Sequence, residues 1–298
     1  VSGTQALPAG SNYFWLVFNV NPAAAAGNIL DAGLNSVTTS ARTITGTNPA
    51  GSRSVVAGMS GTYTIDNTVA TGGTNFNSIT AAAAALNTNG ICGPVTFNLV
   101  NTLYSTGETF PILFNPITGA SATNTITLRA SNAAGVTINT GTNALGLVLF
   151  GTDYMTIDGR LNGTGTTNML SIISTSTTSG ACSIGLFSQG VGAGCTFNTI
   201  RNVNIKMLNT STNFCLYIGG NGTANGSDND NNTVMNNNFR SSWYGIQAMG
   251  GGLGTDVNDN LVITNNTFGT DTITRYGLLA GNMNNATIKG NSIRDVIA

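Results

Sequence analysis

The chain has 298 residues, which is enough for one large all-β domain or for two domains. Only 7% of the residues are charged and the formal net charge is −1, so the chain lacks the electrostatic footprint of a protein that binds nucleic acid or anionic lipid. Hydrophobic residues make up 41% of the chain, which excludes a disordered chain, and no apolar run approaches the length of a membrane span.

Residues 1–57 differ in kind from the rest of the chain. Alternation of apolar residues over 13–20 predicts one strand, with Trp15 as a core anchor. The stretches SGTQALPAGSNYFWLVFNVNPAAAAGNILDA and NPAGSR resemble a β-sandwich module found beside sialidase-type repeats in secreted proteins. The stretch is short for a whole sandwich, so the resemblance implies a β-sandwich-like module that could be incomplete.

A helix is predicted near residues 76–88. The segment NFNSITAAAAALNTNG supplies a capping Asn or Ser, then apolar residues at Ile79, Ala82, Ala83 and Leu86, and a terminal Gly. The segments GPVTFNL, TNTITLRAS and VTINTG follow it and predict the first strands of a stack. Because the end of a stack of strands needs a cover, we expect this helix to cap it.

Two interleaved repeats fill the second half of the chain. The segments TIRNVNI, TVMNNNF, VITNNTF and TIKGNSI align without gaps, with apolar second and seventh residues and Asn or Gly at the fourth. Between them, the segments IGLFSQG, FCLYIGG, YGIQAMG and YGLLAGN align at spacings of 30, 30 and 32 residues. Two repeats that share one period indicate a repeat architecture in which each unit is one coil.

Each coil therefore contains at least two short strands with one inward face. A single coil cannot bury its apolar face, so the coils must stack in parallel, about 4.8 Å apart. We expect Leu186, Leu216, Ile246 and Leu278 to form one continuous inward file, with Phe214 also facing inward. Asparagine recurs because it tolerates the left-handed conformation of a repeated turn and because stacked amides can hydrogen-bond along the stack.

The order of these segments, from GTYTID through the helix to ATIKGNSI, resembles the right-handed parallel β-helix of the pectin-lyase-like superfamily. Within it, the chain looks most like the Asn/Thr-rich modules of large surface proteins and adhesins that gliding Gram-negative bacteria export by the type IX route. The resemblance covers roughly residues 58–298. It implies an all-β solenoid that continues beyond the C-terminal end, an extracellular or outer-surface location, and assembly with neighbouring domains or copies into filaments.

The chain has no histidine, which excludes Ser–His–Asp, Cys–His and His-ligated metal chemistry. It also lacks the histidine that polygalacturonase-like β-helix hydrolases carry beside their aspartates. The four cysteines lack CxxC spacing, so a zinc site is not expected. Two alternatives stay open for them, a disulfide such as Cys182–Cys195 or buried thiols.

Aspartates are the remaining candidates for chemistry. Asp230 and Asp259 each lie four residues before an equivalent ladder position, so we expect them in neighbouring turns roughly 5 Å apart. Asp228 and Asp256 flank them in oxygen-rich loops. Three interpretations remain: solvated turns, a calcium ion that bridges successive turns, or a catalytic carboxylate pair. No cofactor is required, and Ca²⁺ is the one that these residues would suit.

Aromatic and modifiable positions complete the set of candidates. Phe187 and Tyr217 are predicted to face outward, with Trp243 close by, where they could stack on sugar rings or be covered by a loop. Asp271 and Thr272 resemble the Asp-Thr-aliphatic acceptor of bacterial O-glycosylation, which makes Thr272 a candidate modification site. None of the basic residues aligns with the acidic column as a lyase motif would require.

These observations favour a non-catalytic, extracellular structural or adhesive module of a larger surface or filament-forming protein. Its expected partners are extracellular polysaccharide or a cell surface. One alternative is a polysaccharide lyase or glycoside hydrolase, supported by analogy of fold alone. A second alternative is a carbohydrate-binding module.

Overall fold

The computed structural model describes residues 6, 9–10, 20, 24–33, 36–38, 43–46, 51–208, 212–220, 226–252, 256–269 and 271–296. The chain divides into two compact units, Val1–Ala57 and Gly58–Ala298. In the part of the chain described, no helix is both long and apolar enough to cross a bilayer.

The first unit contains two short antiparallel strand pairs in its described part. Ile29–Leu30 pairs with Arg53–Ser54, and Ser36–Thr38 pairs with Thr43–Thr45. Trp15 lies outside the described residues. The β-sandwich resemblance for this unit therefore stays a prediction.

The second unit is a parallel β-solenoid, and the predicted helix runs over Ile79–Asn89, after the strands Met59–Ile65 and Asn75–Phe76. The hydroxyl of Ser78 accepts the N–H of Ala81 at 3.0 Å and so satisfies one of the free amides of the first turn. The chain's single glutamate, Glu108, accepts hydrogen bonds from the N–H groups of Ile79 and Thr80 at 2.8 Å each. Its negative charge also interacts favourably with the positive end of the helix dipole. The apolar face of the helix is buried, as a cap requires.

Three long sheets form the walls of the solenoid, and each coil contributes one strand to each wall. Every pairing within them is parallel. The strands of the first sheet, in spatial order, are Asn75–Phe76, Met59–Ile65, Ile91–Leu99, Ile126–Ala130, Met155–Asp158, Thr199–Arg201, Thr233–Met235, Val262–Thr264 and Thr287–Lys289. A column of threonines runs along the outer surface of this sheet. Its members are in register: Thr62, Thr96, Thr127, Thr156, Thr199 and Thr233.

The other two walls follow the same rule. The second sheet contains Leu103–Tyr104, Val136–Gly141, Leu170–Ser174, Val203–Met207, Asn238–Arg240, Thr267–Phe268 and Ser292–Ile293. The third sheet contains Ile112–Phe114, Leu145–Phe150, Cys182–Ser188, Phe214–Gly220, Ser242–Met249 and Ile273–Gly281. A parallel pair, Asn258–Asp259 with Met283–Asn284, and a 3-10 turn at Leu161–Gly163 complete the second unit.

The interior is one continuous apolar cluster that runs from Met59 to Ile273. The register of the first repeat is the predicted one, since Thr199, Thr233, Val262 and Thr287 are successive partners. The fold class predicted from the sequence, an all-β parallel solenoid with a capping helix, is confirmed.

The predicted register of the second repeat is wrong by two residues between its first two segments. Ile184 is the partner of Leu216, and the file continues through Ile246 to Leu278. Leu186 pairs instead with Ile218, so it belongs to the adjacent inward file. The spacing between these coils is 32 residues in the pairing of Cys182 with Phe214, because the connecting loop is two residues longer than a 30-residue repeat allows.

Phe214 does not face inward as strict alternation predicts. Cys215 and Leu216 both belong to the interior, so two consecutive residues face the core, and Phe214 joins a separate apolar cluster with Phe187 and Tyr217. The pairing of this strand with its neighbours omits Cys215, which indicates a local irregularity there.

Buried asparagines form hydrogen-bonded ladders at the turns. The side-chain oxygen of Asn237 accepts the N–H of Val203 in the coil before, and its amide donates to the carbonyl of Ile200, both at 2.9 Å. The backbone N–H of Asn237 donates in turn to the side chain of Asn266, which repeats the arrangement with Asn291. A buried backbone group needs such a partner, and the asparagine supplies it at the point where the strand ladder is interrupted.

The fourth position of the first repeat takes the left-handed conformation, and in three of the four segments it directly precedes the buried asparagine. Asn202, Asn236, Asn265 and Gly290 have φ values of 54°, 58°, 56° and 68°. These residue types adopt that conformation at low cost, which is why they recur at the fourth position of the repeat.

Replacing Asn237 by alanine should destabilise the fold by about 2–4 kcal/mol, because the N–H of Val203 and the carbonyl of Ile200 would both lose their partner in the interior. The matched control is Asn238→Ala, since the amide of Asn238 lies on the outer surface and donates to the side chain of Asn204 instead of to a buried backbone group. Urea unfolding measures both. Equal losses in the two variants would contradict a structural role for the buried ladder.

Candidate functional site

The aspartate pair lies at a turn between neighbouring coils. Asp230 and Asp259 occupy equivalent positions, as the ladder alignment predicts, and the N–H of Asp259 donates to the Asp230 carboxylate at 2.7 Å. Asp228 adopts the left-handed conformation and accepts the N–H of Gly192. Asp256 is half-buried, and its carbonyl accepts the N–H of Gly251 at 2.8 Å.

The environment of the pair is less open than the sequence suggests. Burial raises the pKa of Asp230, the hydrogen bond from the Asp259 N–H opposes that rise, and the charges of Asp259 and Asp228 add to it. The Oδ1 atom of Asp259 is buried, and no described group donates a hydrogen bond to it. This turn is therefore partly desolvated rather than a fully solvated loop.

The four aspartates predicted as calcium ligands do not form a metal-binding cluster by themselves. Within the described ranges, no group of three or more His, Cys, Asp or Glu side chains is placed to hold a metal ion. A calcium ion at this turn would need carbonyl and amide oxygens in addition to Asp230 and Asp259. Calcium binding stays a prediction.

The aromatic residues of the third sheet lie in a compact outer cluster. Phe187 is 3% exposed and Tyr217 is 1% exposed, so neither ring has a face open to a sugar. Gly185 and Gly219 leave room for these rings, since a Cβ on either would come within 2.7 Å of the neighbouring aromatic ring. The space beside the glycine column is thus filled by the protein's own side chains.

Trp243 lies at the edge of this cluster and is half-buried. The guanidinium of Arg275 lies 5.4 Å from the centre of the Trp243 ring and 5.4 Å from that of Tyr276. At these distances the arginine covers the rings through cation–π contact. Among the three predicted sugar-binding aromatics, only Trp243 is partly accessible.

The four cysteines are free. Cys182 belongs to the outer aromatic cluster and Cys195 to the solenoid interior, so the disulfide alternative is wrong and the buried-thiol alternative holds for this pair. Burial raises the pKa of both thiols to about 12. Neither is therefore a reactive thiolate at neutral pH.

Thr272, the candidate glycosylation position, is exposed. The neighbouring Asp271 carboxylate pairs with the ammonium of Lys206 at 2.7 Å, and its pKa is held below the ordinary value mainly by that hydrogen bond. Modification of Thr272 stays a prediction.

A buried carboxylate on the first sheet was not identified from the sequence. The side chain of Asp158 is 1% exposed, and it forms ion pairs with Arg160 and Arg201 at 2.8 Å each. Burial acts to raise the pKa of Asp158, but the hydrogen bonds from Arg160 and the charge of Arg201 outweigh burial and lower it. The signal was available, because MTID aligns with NTIR one coil later and brings Asp158 into register with Arg201.

The similarity of the chain to known proteins is weak. No protein-family model matches the chain, and no curated protein sequence matches it. A solved structure described as the crystal structure of pectate lyase Pel9A is similar to it at 13% identity and a TM-score of 0.32. The similarity covers 77% of this chain and 79% of that one. Nothing about activity follows from a similarity at this level.

Two aspartate-to-asparagine variants should change stability in opposite directions at neutral pH. Asp158→Asn should destabilise by about 3 kcal/mol, because it leaves two arginines without their buried partner. The lowered pKa of Asp158 means that this contribution is present above the unfolded value near 4 and is lost as pH falls through the folded pKa.

Asp230→Asn should instead stabilise the fold at neutral pH. A raised pKa means that the folded state disfavours the charged form, and an amide oxygen can still accept the N–H of Asp259. The gain should disappear below the unfolded pKa, where the wild-type carboxyl is protonated as well. Urea unfolding at several pH values between 3 and 7 measures both variants, and a shared sign at pH 7 would contradict the assigned environments.

Proposed function

We propose that the chain is a non-catalytic structural and adhesive module of a larger extracellular surface protein. The observation that supports this most is the use of its acidic side chains. Glu108 caps the helix, Asp158 neutralises two arginines, and Asp153 accepts both the N–H and the hydroxyl of Thr196 at 2.7 Å. Carboxylates engaged in this way hold the solenoid together and are not free to act as acids or bases on a substrate.

The solenoid architecture suits a spacer that displays loops. Its coils satisfy their backbone groups against one another, and the turns contribute buried amides instead of charges. A polysaccharide lyase is the competing function on such a fold. It would need a basic residue and a metal-held acid at one place, and the aspartate turn brings no arginine or lysine into an ion pair with Asp230 or Asp259 among the described residues.

An activity assay separates the two functions. Purified protein incubated with a panel of neutral and acidic polysaccharides, with and without Ca²⁺, should release neither unsaturated nor reducing ends. Cleavage of any of them would overturn the non-catalytic role. If cleavage occurs, the double variant Asp230→Asn/Asp259→Asn decides whether the aspartate turn carries it, and Asp66→Asn, at the other end of the solenoid, is the matched control.

Calcium at the aspartate turn is a part of this proposal with its own test. Extracellular calcium sites have dissociation constants of about 0.1–1 mM, so 10 mM Ca²⁺ should stabilise the folded state by about 1–3 kcal/mol. Thermal unfolding with Ca²⁺ and with a chelator measures the shift. The shift should vanish in Asp230→Asn/Asp259→Asn and persist in Asp66→Asn, and an unchanged melting temperature in the native protein would exclude the site.

A further inference from the structure

The positive charges of the solenoid are concentrated on two adjoining walls. Apart from Lys289 and Arg294 in the last coil, five of the ten basic residues of the chain lie on the outer surfaces of the first and second sheets or at the turn between them. They are Arg129, Arg160, Arg201, Lys206 and Arg240, and we call this surface the basic face. Two carboxylates form ion pairs with them, Asp158 and Asp271, so the face keeps an excess of positive charge on a chain whose net charge is −1.

The first part of the basic face is an open groove of about 360 Å³ at the turn between the two sheets. Arg160 and Arg201 line it, and the side chain of Arg201 is 33% exposed although it pairs with Asp158. Amide side chains make up much of the remaining lining, including Asn202, Asn236 and Asn265. A lining of amides around guanidinium groups offers donors to both hydroxyl and oxyanion groups.

The second part is a smaller groove of about 150 Å³ on the second sheet, lined by Lys206 and Arg240 on adjacent coils. The Nε atom of Arg240 is buried and has no hydrogen-bond partner among the described groups. A buried donor without an acceptor is costly, and a guanidinium is the group that best matches an oxyanion. Arg240 therefore has hydrogen-bonding capacity that no described group of the chain uses, and it lines the groove from which an external acceptor would approach.

The two grooves adjoin each other at Asn204 and Asn238. Asn204 lines the second groove and accepts a hydrogen bond at 2.8 Å from Asn238, which lines the first. Lys206 and Arg240 lie on adjacent coils, about 4.8 Å apart, and Arg201 lies in the same coil as Lys206, so these three cations form a short row that follows the stack. Such a row matches a linear polymer with repeated acidic groups better than it matches a compact ligand.

We propose that the basic face binds a linear polysaccharide that carries sulfate or carboxylate groups. The arginines and Lys206 bind the oxyanions, and the asparagines between them bind sugar hydroxyls. This inference deepens the proposed adhesive function and rests on it, because it names the site and the class of polymer that the module would hold.

The test uses three polymers with one backbone: dextran, carboxymethyl-dextran and dextran sulfate. The chain should bind at least one of the two acidic polymers in isothermal titration calorimetry and should not bind dextran. Arg240→Gln should weaken that binding about tenfold, because it removes one charged hydrogen bond without breaking a described ion pair. Arg201→Gln is the second variant, with circular dichroism to verify its fold, and Arg275→Gln on the third sheet is the matched control that should bind normally.

The outcomes separate this site from the proposed function. Failure to bind either acidic polymer, equal binding to dextran, or equal weakening in Arg275→Gln would overturn the site, while a non-catalytic role would stand. Equally tight binding of duplex DNA would overturn the assignment to polysaccharide in favour of an unspecific polyanion surface. Cleavage of an acidic polymer would overturn the non-catalytic role and leave the binding site in place. Which acidic dextran binds more tightly distinguishes sulfate from carboxylate.

Discussion

Parallel hydrogen bonding between successive coils is the constraint on which the rest of this structure depends. Each coil buries its apolar face only because the next coil lies directly above it, so every feature of the sequence must recur once per coil. The strands satisfy this with inward aliphatic residues. The turns satisfy it with a left-handed Asn or Gly followed by a buried Asn whose amide reaches the backbone of the coil before.

The same constraint explains why the chain has so few charges. Each residue lies between its equivalents in the coils above and below. If one position were charged in every coil, like charges would therefore lie about 5 Å apart. Asparagine and threonine can stack in this way without repulsion. In one column of the first sheet, which holds Arg129, Asp158 and Arg201, the sign alternates and the carboxylate is buried between cations. Two places carry like charges on adjacent coils instead: Lys206 beside Arg240, and Asp230 beside Asp259.

The acidic and the basic side chains of the solenoid are used differently. Glu108 binds the helix and Asp158 pairs with arginines, whereas several basic residues lie on one surface, where the buried Nε of Arg240 has no described partner. The protein is thus proposed to act through a surface rather than through a catalytic centre, and the property of that surface is an excess of positive charge next to amides.

The sequence by itself determined the repeat, the parallel stacking, the capping helix and the role of asparagine, because these depend on local periodicity and on residue types with few conformational alternatives. The adjacency of Asp230 and Asp259 followed from the same alignment. Only the tertiary structure decided that Leu186 lies one file away from Leu216 and that Phe214 faces outward, because loop length and a local irregularity shift the register of a strand without leaving a signal in its own residues. It also decided that Phe187 and Tyr217 are covered and that five cations share one surface, since burial and charge clustering depend on which walls meet in space.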